Sequence, residues 1–306
     1  MRYFVVVGRL GSIRKAADEL NIAASAIDRQ ILNVEAELGM PLFERLSSGM
    51  RLTAAGELLM ASGMRWEKNL ADTLSQIEDL RGIKRGHVEI AVIEALAKGH
   101  VPRLVKAIDA RFPGISIGLR VRENEEVRDA VLDASVDFGI MLEPQSTRDL
   151  TVRAFAEVAL GFVTRADDPF AASDSVRFTA CADRDLVVPS EPLAVAAQVR
   201  MLEATTGVLI RQRMESDNVQ MIVSLALEGA GTGILTSIDA VSEVQSGQLA
   251  FTRISDPTVR PMVLALCTNT SRTLSFAASM VLSEFESQFP RFDYTNICNA
   301  APGATQ

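Results

Sequence analysis

A group of hydrogen-bonding side chains lies between positions 24 and 30 of this 306-residue chain. Ala24 begins the segment, and Ser25, Asp28, Arg29 and Gln30 follow it. Arginine, glutamine and serine side chains bind base edges in the major groove of DNA, and a carboxylate can accept a hydrogen bond from the cytosine amino group. We therefore expect these residues to form a DNA-reading surface, with Arg29 as its main contact.

Three charged side chains of the same region could act in more than one way. Asp28 would repel a phosphate at short range, so it either accepts from a cytosine or pairs with Arg29 or another local cation. Arg45 either forms an ion pair with Glu35 or a neighbour, or contacts a phosphate. For Arg51 we favour phosphate contact, because cations on the DNA backbone release counterions and so supply affinity.

Three short helices are expected to position these side chains. Apolar residues at positions 4, 5, 7 and 10 share one helical face that Gly11 ends, and Ser12 is a suitable N-cap for a second helix. A third helix is predicted from about residue 24 to residue 38, with Gly39 as its C-terminal stop. In a helix-turn-helix the N-terminal part of the second motif helix enters the major groove, and here that part carries the polar residues.

A small β-wing is predicted next. Residues 41–46 and 51–53 have the character of extended segments on either side of a Ser/Gly turn at residues 47–50. Arg45 and Arg51 flank this turn. We therefore assign residues 1–58 to a winged helix-turn-helix DNA-binding domain.

A long helix is predicted after the wing. Thr53 can cap a helix that runs to about residue 80, along which Trp66, Leu70 and Ile77 keep an approximately helical spacing. One helix cannot bury such a stripe by itself, so either a second protomer, which we favour, or the chain's own C-terminal domain should cover it. Residues 59–85 are therefore interpreted as a dimerisation linker and hinge.

The rest of the chain alternates strands with helices, which indicates an α/β domain with parallel strands and crossover helices. Strands are expected over residues 87–93, 115–121, 136–142, 158–164, 186–188, 234–235 and 262–267, and helices over residues 101–112, 126–134, 193–206, 218–228 and 271–288. The stretch from Gly229 to Gly233 lacks the Lys-Ser/Thr of a phosphate loop, so we interpret it as a tight helix-to-strand turn. This domain spans residues 86–295, and residues 296–306 are expected to be a loose tail.

The net charge of −8 would argue against nucleic-acid binding if it were spread evenly. Through Trp66, however, eight basic residues face seven acidic ones, so the negative charge belongs mainly to the C-terminal domain. A nearly neutral domain can bind DNA if its cations are clustered, and a dimer doubles the contacts.

Several classes of protein are disfavoured. The three cysteines are far apart and lack metal-like spacing, which favours a reducing compartment and gives redox sensing little support. The opening residues do not resemble a signal peptide, and apolar runs are too short to cross a membrane, so we expect a cytoplasmic protein. With only His87 and His100, no nucleophile elbow and no metal-ligand cluster, the sequence predicts neither an enzyme nor a cofactor.

The segment from Phe4 to Leu59 resembles the LysR-type transcriptional regulator family. The matching elements, in chain order, are Gly11-Ser12, Ala16-Ala17, Leu20-Asn21-Ile22, Ser25-Ala26-Ile27, Arg29-Gln30-Ile31, Glu35, Leu38-Gly39, Leu42-Phe43-Glu44-Arg45 and Leu52-Thr53-Ala54-Ala55-Gly56-Glu57. Looser landmarks continue through the C-terminal domain, among them Pro102, Asp137 and Asp168-Pro169. The head departs from the family pattern at Ala23, Ala24 and Asp28, and the family usually has several residues before the equivalent of Arg2.

The resemblance implies a periplasmic-binding-protein-like effector domain of two α/β subdomains joined by two crossing strands. Subdomain I would combine residues 87–160 with 265–290, and subdomain II would span 161–264. The residues that match the family's effector pocket are Ala95, Leu96, Asn124, Pro189 and Ser190, and His100 is a further candidate because it lies near a helix start at the cleft. Ala95 replaces a common Ser or Thr, and the nearby glutamates predict an acidic cleft mouth unless Arg122, Lys98 or His100 faces inward, so a carboxylate effector cannot be assumed.

The resemblance also implies the partners: a double-stranded DNA operator, a small-molecule effector, and further copies of the chain in a homodimer or homotetramer. No membrane contact is expected. A solute-binding protein would share the effector-domain fold, but it would need a signal peptide and would have no DNA-binding head. An enzyme using the α/β cleft is the other alternative.

Overall fold

The computed structural model describes residues 1–46, 49–79, 86–144 and 148–292. The chain forms two compact units, with the main boundary between residues 82 and 83. The expected hinge at residues 81–85 and the expected tail at residues 296–306 lie outside the described residues. No helix in the described ranges is long and apolar enough to span a membrane.

The first unit consists of four helices and a two-stranded wing. Its elements are α1 (Arg2–Leu10), α2 (Ile13–Leu20), α3 (Ala24–Leu38), β1 (Phe43–Leu46), β2 (Gly49–Leu52) and α4 (Ala54–Asp79). Gly11 and Gly39 end α1 and α3 in the left-handed region at φ 61° and 70°, and Ser12 Oγ accepts the Lys15 N–H at the start of α2. These stops and this cap were expected from the sequence, because they are local.

The core of this unit fixes the outer face of α3. Ile27 and Ile31 of α3 pack with Phe4 of α1 and with Phe43 at the start of the wing. The Phe4 and Phe43 rings are 5.1 Å apart. Gly56 allows α4 to begin close to the wing, since a Cβ there would lie 2.1 Å from the Leu42 carbonyl oxygen.

The second unit contains two sheets and their covering helices. Its elements are β3 (Gly86–Ile93), α5 (His100–Arg111), β4 (Ile115–Arg122), α6 (Asn124–Leu132), β5 (Phe138–Leu142), β6 (Leu150–Val158), β7 (Leu160–Arg165), β8 (Ser175–Val176), β9 (Leu186–Pro189), α7 (Ala194–Thr206), β10 (Gln212–Ser216), α8 (Val219–Leu227), β11 (Thr232–Thr236), α9 (Val241–Gln245), β12 (Leu249–Ile254), β13 (Met262–Asn269) and α10 (Phe276–Gln288). Four short 3₁₀ segments lie at Glu94–Leu96, Pro169–Ala172, Phe178–Cys181 and Phe289–Phe292.

Two crossings of the chain connect the sheets. The first sheet has the order β4-β3-β5-β13-β6 and the second β10-β9-β11-β7-β12-β8. The chain leaves the first sheet between β6 and β7 and returns between β12 and β13. β3 runs parallel to β4 and β5, whereas β13 runs antiparallel to β5 and β6. The result is the expected α/β architecture of two subdomains joined by two crossing segments.

Several predicted elements differ from the structure. The strand expected at residues 158–164 is the end of one strand, β6, and most of another, β7. β8, β10, β12, α9 and the part of β6 before Val158 were not predicted. The last helix begins at Phe276 rather than Ser271, because Ser275 Oγ accepts the Ala278 N–H and caps it there. Residues 229–231 form the expected turn between α8 and β11, with Gly229 at φ 71°.

Candidate functional site

The first turns of α3 carry the side chains that the sequence predicted for DNA contact. Those that are exposed are Ala24, Ser25, Arg29 and Gln30. Asp28 is partly buried beside them, while Ile27 and Ile31 on the opposite face are at most 2% exposed. The apolar face therefore holds the polar face outward, where side chains can reach another molecule.

Asp28 forms an ion pair with the wing. Arg45 Nη2 donates to Asp28 Oδ1 at 2.7 Å, which joins α3 to β1. Asp28 thus forms its ion pair with a cation outside its own helix rather than with Arg29. Arg45 pairs with this acid rather than with Glu35. Glu35 Oε1 instead accepts the backbone N–H groups of Leu42 at 2.7 Å and Phe43 at 3.1 Å.

The other two predicted arginines differ in their partners. Arg51 lies opposite Glu44 in the wing and donates to its Oε2 through Nε at 3.0 Å and Nη2 at 2.5 Å. Such an exposed pair is worth only about 0–1 kcal/mol, so a phosphate can replace Glu44. No ion pair joins Arg29 to any residue in the described part of the chain. Of the three predicted arginines, Arg29 is the one whose guanidinium forms no ion pair among the described residues.

A cleft of about 410 Å³ lies between the two sheets of the second unit. The first subdomain lines it with the ends of β3, β4 and β5 and the start of α6, and the second lines it with the starts of α7 and α8 and the end of β11. The lining residues are Ile93, Glu94, Ala95, Val121, Arg122, Glu123, Asn124, Glu126, Leu142, Pro192, Leu193, Ala194, Val195, Asp217, Asn218, Val219, Leu235 and Asp239. This size and position suit a small molecule.

Two of the predicted pocket residues, Ala95 and Asn124, line this cleft. Asn124 uses its amide to join α6 to β5: its Nδ2 donates to the Leu142 carbonyl at 2.7 Å, and its Oδ1 accepts the Leu142 N–H at 2.8 Å. The amide therefore positions the end of β5, and these two bonds use one of its two N–H groups and one of the two lone pairs of its oxygen.

The other four predicted pocket residues do not line the cleft. Leu96 is 3% exposed and belongs to the core. The His100 ring packs 5.3 Å from that of Phe292, and burial together with the charges of Arg103 and Arg291 lowers the His100 pKa. Pro189 ends β9, and the Ser190 N–H donates to the Ser216 carbonyl at 3.0 Å. Pro192 lines the cleft three residues farther along.

Glu94 bridges the two subdomains at the edge of the cleft. Its Oε1 accepts from Asn218 Nδ2 at 2.8 Å, and its Oε2 accepts the Val219 N–H at 3.3 Å. Asn218 is the N-cap of α8, where its Oδ1 accepts the Met221 N–H. The sequence showed Glu94 only as part of an acidic mouth, since its partner Asn218 is 124 positions farther along the chain and leaves no local signal.

Asp239 is a buried acid in the wall of the cleft. Burial raises the pKa of its carboxyl to about 6 and the charge of Glu94 adds to the shift, although hydrogen bonds from Thr236 oppose both. The Thr236 N–H and hydroxyl donate to Asp239 Oδ2 at 2.6 and 2.8 Å. The carboxyl is thus held by the turn after β11, beside the cleft.

The three basic residues near the cleft occupy different environments. Arg122 lines it, whereas Lys98 Nζ donates to Glu243 at 3.1 Å and His100 packs against Phe292. Of the three basic groups considered from the sequence, only Arg122 contributes to the lining. Arg122 thus meets the condition under which we did not expect an acidic mouth, and Glu125 and Glu191 are not among the lining residues. Five other acids do line the cleft, Glu94, Glu123, Glu126, Asp217 and Asp239, so acidic groups still outnumber the one basic residue of the lining.

The described cysteines offer little reactivity. Cys181 and Cys267 are buried and unpaired, and burial raises the pKa of each thiol to about 11. A thiol with such a pKa is almost fully protonated at neutral pH and is a poor nucleophile. Among the described residues, no group of His, Cys, Asp and Glu side chains could hold a metal ion.

Protein-family models match nearly all of the described chain. The model described as "Bacterial regulatory helix-turn-helix protein, lysR family" matches residues 1–57, and "LysR substrate binding domain" matches residues 81–290. The chain belongs to the LysR family. It is a transcription regulator with a helix-turn-helix DNA-binding domain and an effector-binding domain, which confirms the resemblance seen in the sequence.

Curated relatives carry regulatory names. The HTH-type transcriptional activator CmpR of Synechocystis is 25% identical over 251 residues, which is 81% of this chain and 81% of the relative. The probable RuBisCO transcriptional regulator of Cyanophora paradoxa is 25% identical over 295 residues, covering 94% of this chain and 91% of the relative.

Solved structures share the fold of the LysR regulator. A full-length OxyR variant from Pseudomonas aeruginosa has a TM-score of 0.70 at 18% identity and covers 96% of this chain and 94% of its own. Full-length CbnR complexed with its target DNA has a TM-score of 0.67 at 18% identity, covering 94% and 97%. The effector-binding domain of QuiR in complex with shikimate covers 68% of this chain and 99% of its own, with a TM-score of 0.56 at 15% identity.

Proposed function

We propose that this LysR regulator reads an operator with the outer face of α3 and the two arginines of the wing. The observation that carries the assignment is the exposed guanidinium of Arg29, which lies on the N-terminal half of the second motif helix and has no ion pair among the described residues. Ser25 and Gln30 flank it on the same face. Arg51 would bind a phosphate beside the wing turn, and Arg45 would do so only where its ion pair with Asp28 is broken.

Arg29→Ala tests this assignment. A bidentate contact between arginine and guanine contributes about 1–3 kcal/mol of discrimination, so the variant should lose operator preference over unrelated DNA while it retains its fold. Gel shifts and footprints on the protein's own upstream region, at fixed salt, measure the preference.

The matched control is Lys106→Ala, which removes one exposed charge from α5 of the other unit. An Arg29→Ala protein whose footprint equals that of wild type would contradict the role of Arg29. Failure of the wild-type protein to shift its upstream DNA at modest salt, with or without added metabolites, would contradict operator binding as a whole.

The effector site in this proposal is the cleft between the subdomains. Both walls contribute residues to it, so a ligand that contacts both walls favours the closed arrangement by its differential affinity. Ala95 and Asn124 belong to this site, whereas Leu96, His100, Pro189 and Ser190 support the surrounding fold. A change in the relative position of the subdomains would then alter operator binding through the linker.

The remaining assignments follow from this function. Linker helices of two protomers pair, and a dimer or tetramer of the 33.1 kDa chain binds the operator. The protein works in the cytoplasm, where it meets the chromosome, and its cleft binds the effector without transforming it. The histidines support this view, because His87 bonds Ser116 and Glu89, and His100 packs against Phe292.

A further inference from the structure

An internal carboxylate occupies the place in the cleft where an anion would bind most readily. A helix N-terminus attracts anions through its unpaired N–H groups and its dipole. At the N-terminus of α8, the Val219 N–H and the Asn218 amide both donate to the Glu94 carboxylate of the opposite subdomain. A carboxylate effector would therefore have to displace Glu94 before it could use this position.

The remaining charged groups of the cleft are mostly acids. Glu123 and Glu126 line it from the first subdomain, and Asp217 and Asp239 from the second. Arg122 is the single basic residue among the lining residues of the described structure. Glu94 and Asp239 line the cleft from opposite subdomains, and the negative charge of Glu94 contributes to the raised pKa of Asp239.

The body of the cleft is aliphatic. Its apolar lining consists of Ile93, Ala95, Val121, Leu142, Leu193, Val195 and Leu235, with Pro192 and Ala194 beside them. These side chains come from both subdomains, so an apolar ligand body would be enclosed on two sides. An apolar molecule with one or two cationic ends would match both the aliphatic body and the acidic rim.

We propose that the effector of this regulator is a small organic cation, an amine with a hydrocarbon body, whose ammonium group lies between Glu94 and Asp239. The inference rests on the effector role of the cleft given above and adds the charge of the ligand. A cation between the two carboxylates would relieve their mutual repulsion, and its enclosure by both walls would favour closure. An anion in the same place would be repelled by these carboxylates.

Matched pairs of probes test the proposal with the full-length protein. Each pair shares a carbon skeleton and differs in charge: 1,5-diaminopentane against glutarate, cyclohexylmethylamine against cyclohexanecarboxylate, and benzylamine against benzoate. Calorimetry and thermal shift at constant ionic strength give the affinities. At least one amine should bind about ten-fold or more tightly than its carboxylate partner, a difference of about 1.4 kcal/mol.

Variants locate the binding. Asp217→Asn combined with Glu126→Gln removes two exposed charges from opposite walls without touching a buried group, and it should weaken the amine several-fold. Asp239→Asn should weaken it further. The control is Asp109→Asn, which changes the same charge on the exposed face of α5, away from the lining residues, and should leave the affinity unchanged.

Three results would overturn the proposal: carboxylates that bind as tightly as their amine partners, amine binding that is insensitive to the cleft variants, or no amine that binds wild type below about 10 mM. Gel shifts on the same preparations distinguish a wrong ligand charge from a wrong proposed function. Intact operator binding without amine binding would overturn only the ligand charge, whereas loss of operator binding would overturn the proposed function itself.

Discussion

Asp28 is an unusual neighbour for Arg29, the side chain that we propose reads DNA, because its carboxylate lies beside the exposed residues of α3 and would repel phosphates. The ion pair with Arg45 gives Asp28 a structural role, and while it is formed it keeps Arg45 from binding a phosphate. Because the Arg45 side chain is 53% exposed, the pair is weak and can be exchanged. We therefore expect the acid at position 28 to lower the general affinity for DNA.

Asp28→Asn is expected to strengthen binding to unrelated DNA, since it frees Arg45 and removes a negative charge. If Arg45 gains one phosphate, the slope of log K against log salt should steepen by about 0.9. Binding titrations at several salt concentrations measure it, with Asp109→Asn as the control for net charge. An unchanged slope in Asp28→Asn would show that the pair does not restrain Arg45.

The protonation of Asp239, in the wall of the cleft, makes the stability of the protein depend on pH. Its pKa of about 6 in the folded protein exceeds the ordinary value of 3.8, chiefly because of burial. The folded chain therefore holds a proton that the unfolded chain loses between these values. The stability from this group is fully present below about pH 4 and is lost as pH rises through about 6.

The free energy of unfolding of wild type relative to Asp239→Asn should therefore fall by about 1 kcal/mol between pH 5 and pH 7. Urea denaturation of both proteins at each pH gives the difference and cancels the titration of the other groups. A difference that stays constant or rises over this range would mean that Asp239 titrates with an ordinary pKa.

At the scale of elements, a buried ion pair connects three parts of the first subdomain. Arg272 Nη2 donates to Asp137 Oδ1 at 2.8 Å, and its Nη1 donates to the Val136 carbonyl. Asp137 Oδ2 accepts the Glu89 N–H of β3 at 2.8 Å. Asp137, a landmark in the sequence, thus joins β3 and the start of β5 to the segment that leads into α10.

Asp137→Ala should destabilise the protein by about 3–5 kcal/mol, because it leaves the Arg272 charge buried without its carboxylate. Replacing both partners, Asp137→Leu with Arg272→Met, should recover part of the loss, since no uncompensated charge remains. Urea denaturation measures both variants, and Asp109→Ala is the surface control. A double variant less stable than Asp137→Ala would contradict this account.

At the scale of the whole molecule, α4 carries an apolar stripe that the described chain leaves exposed. Trp66, Leu70, Leu74 and Ile77 are 45–56% exposed. They recur at intervals of three and four residues, which places them on one face of the helix. An equivalent helix of a second protomer is the partner that we propose for this face.

Replacing Leu70 and Leu74 with Ser should shift the protein toward the 33.1 kDa monomer. Operator binding should weaken as well, because a dimer contacts DNA with two heads and a monomer with one. Light scattering after size exclusion measures the mass. Leu58→Ser is the control, since Leu58 is 75% exposed on the same helix but off the stripe. A double variant that keeps the wild-type mass would place the protomer contact elsewhere.

The sequence by itself determined the DNA-binding head. Its helices, caps and wing depend on contacts within a few residues, so Gly11, Ser12 and Gly39 marked the boundaries of the helices and the spacing of Ile27 and Ile31 oriented α3. The α/β character of the second unit was also predictable from buried strands. Edge strands such as β10, with the polar sequence Gln212–Ser216, lacked that signal and were missed.

Only the tertiary structure decided which residues form the cleft. Its lining comes from six separated segments, and the partners of the Glu94–Asn218 bridge are 124 positions apart in sequence, so neither spacing nor periodicity could reveal it. His100 and Leu96 are close to Ala95 in sequence, yet packing turns both away from the cleft. Local rules govern a helix and its caps, whereas a site between two subdomains depends on how distant strand ends meet.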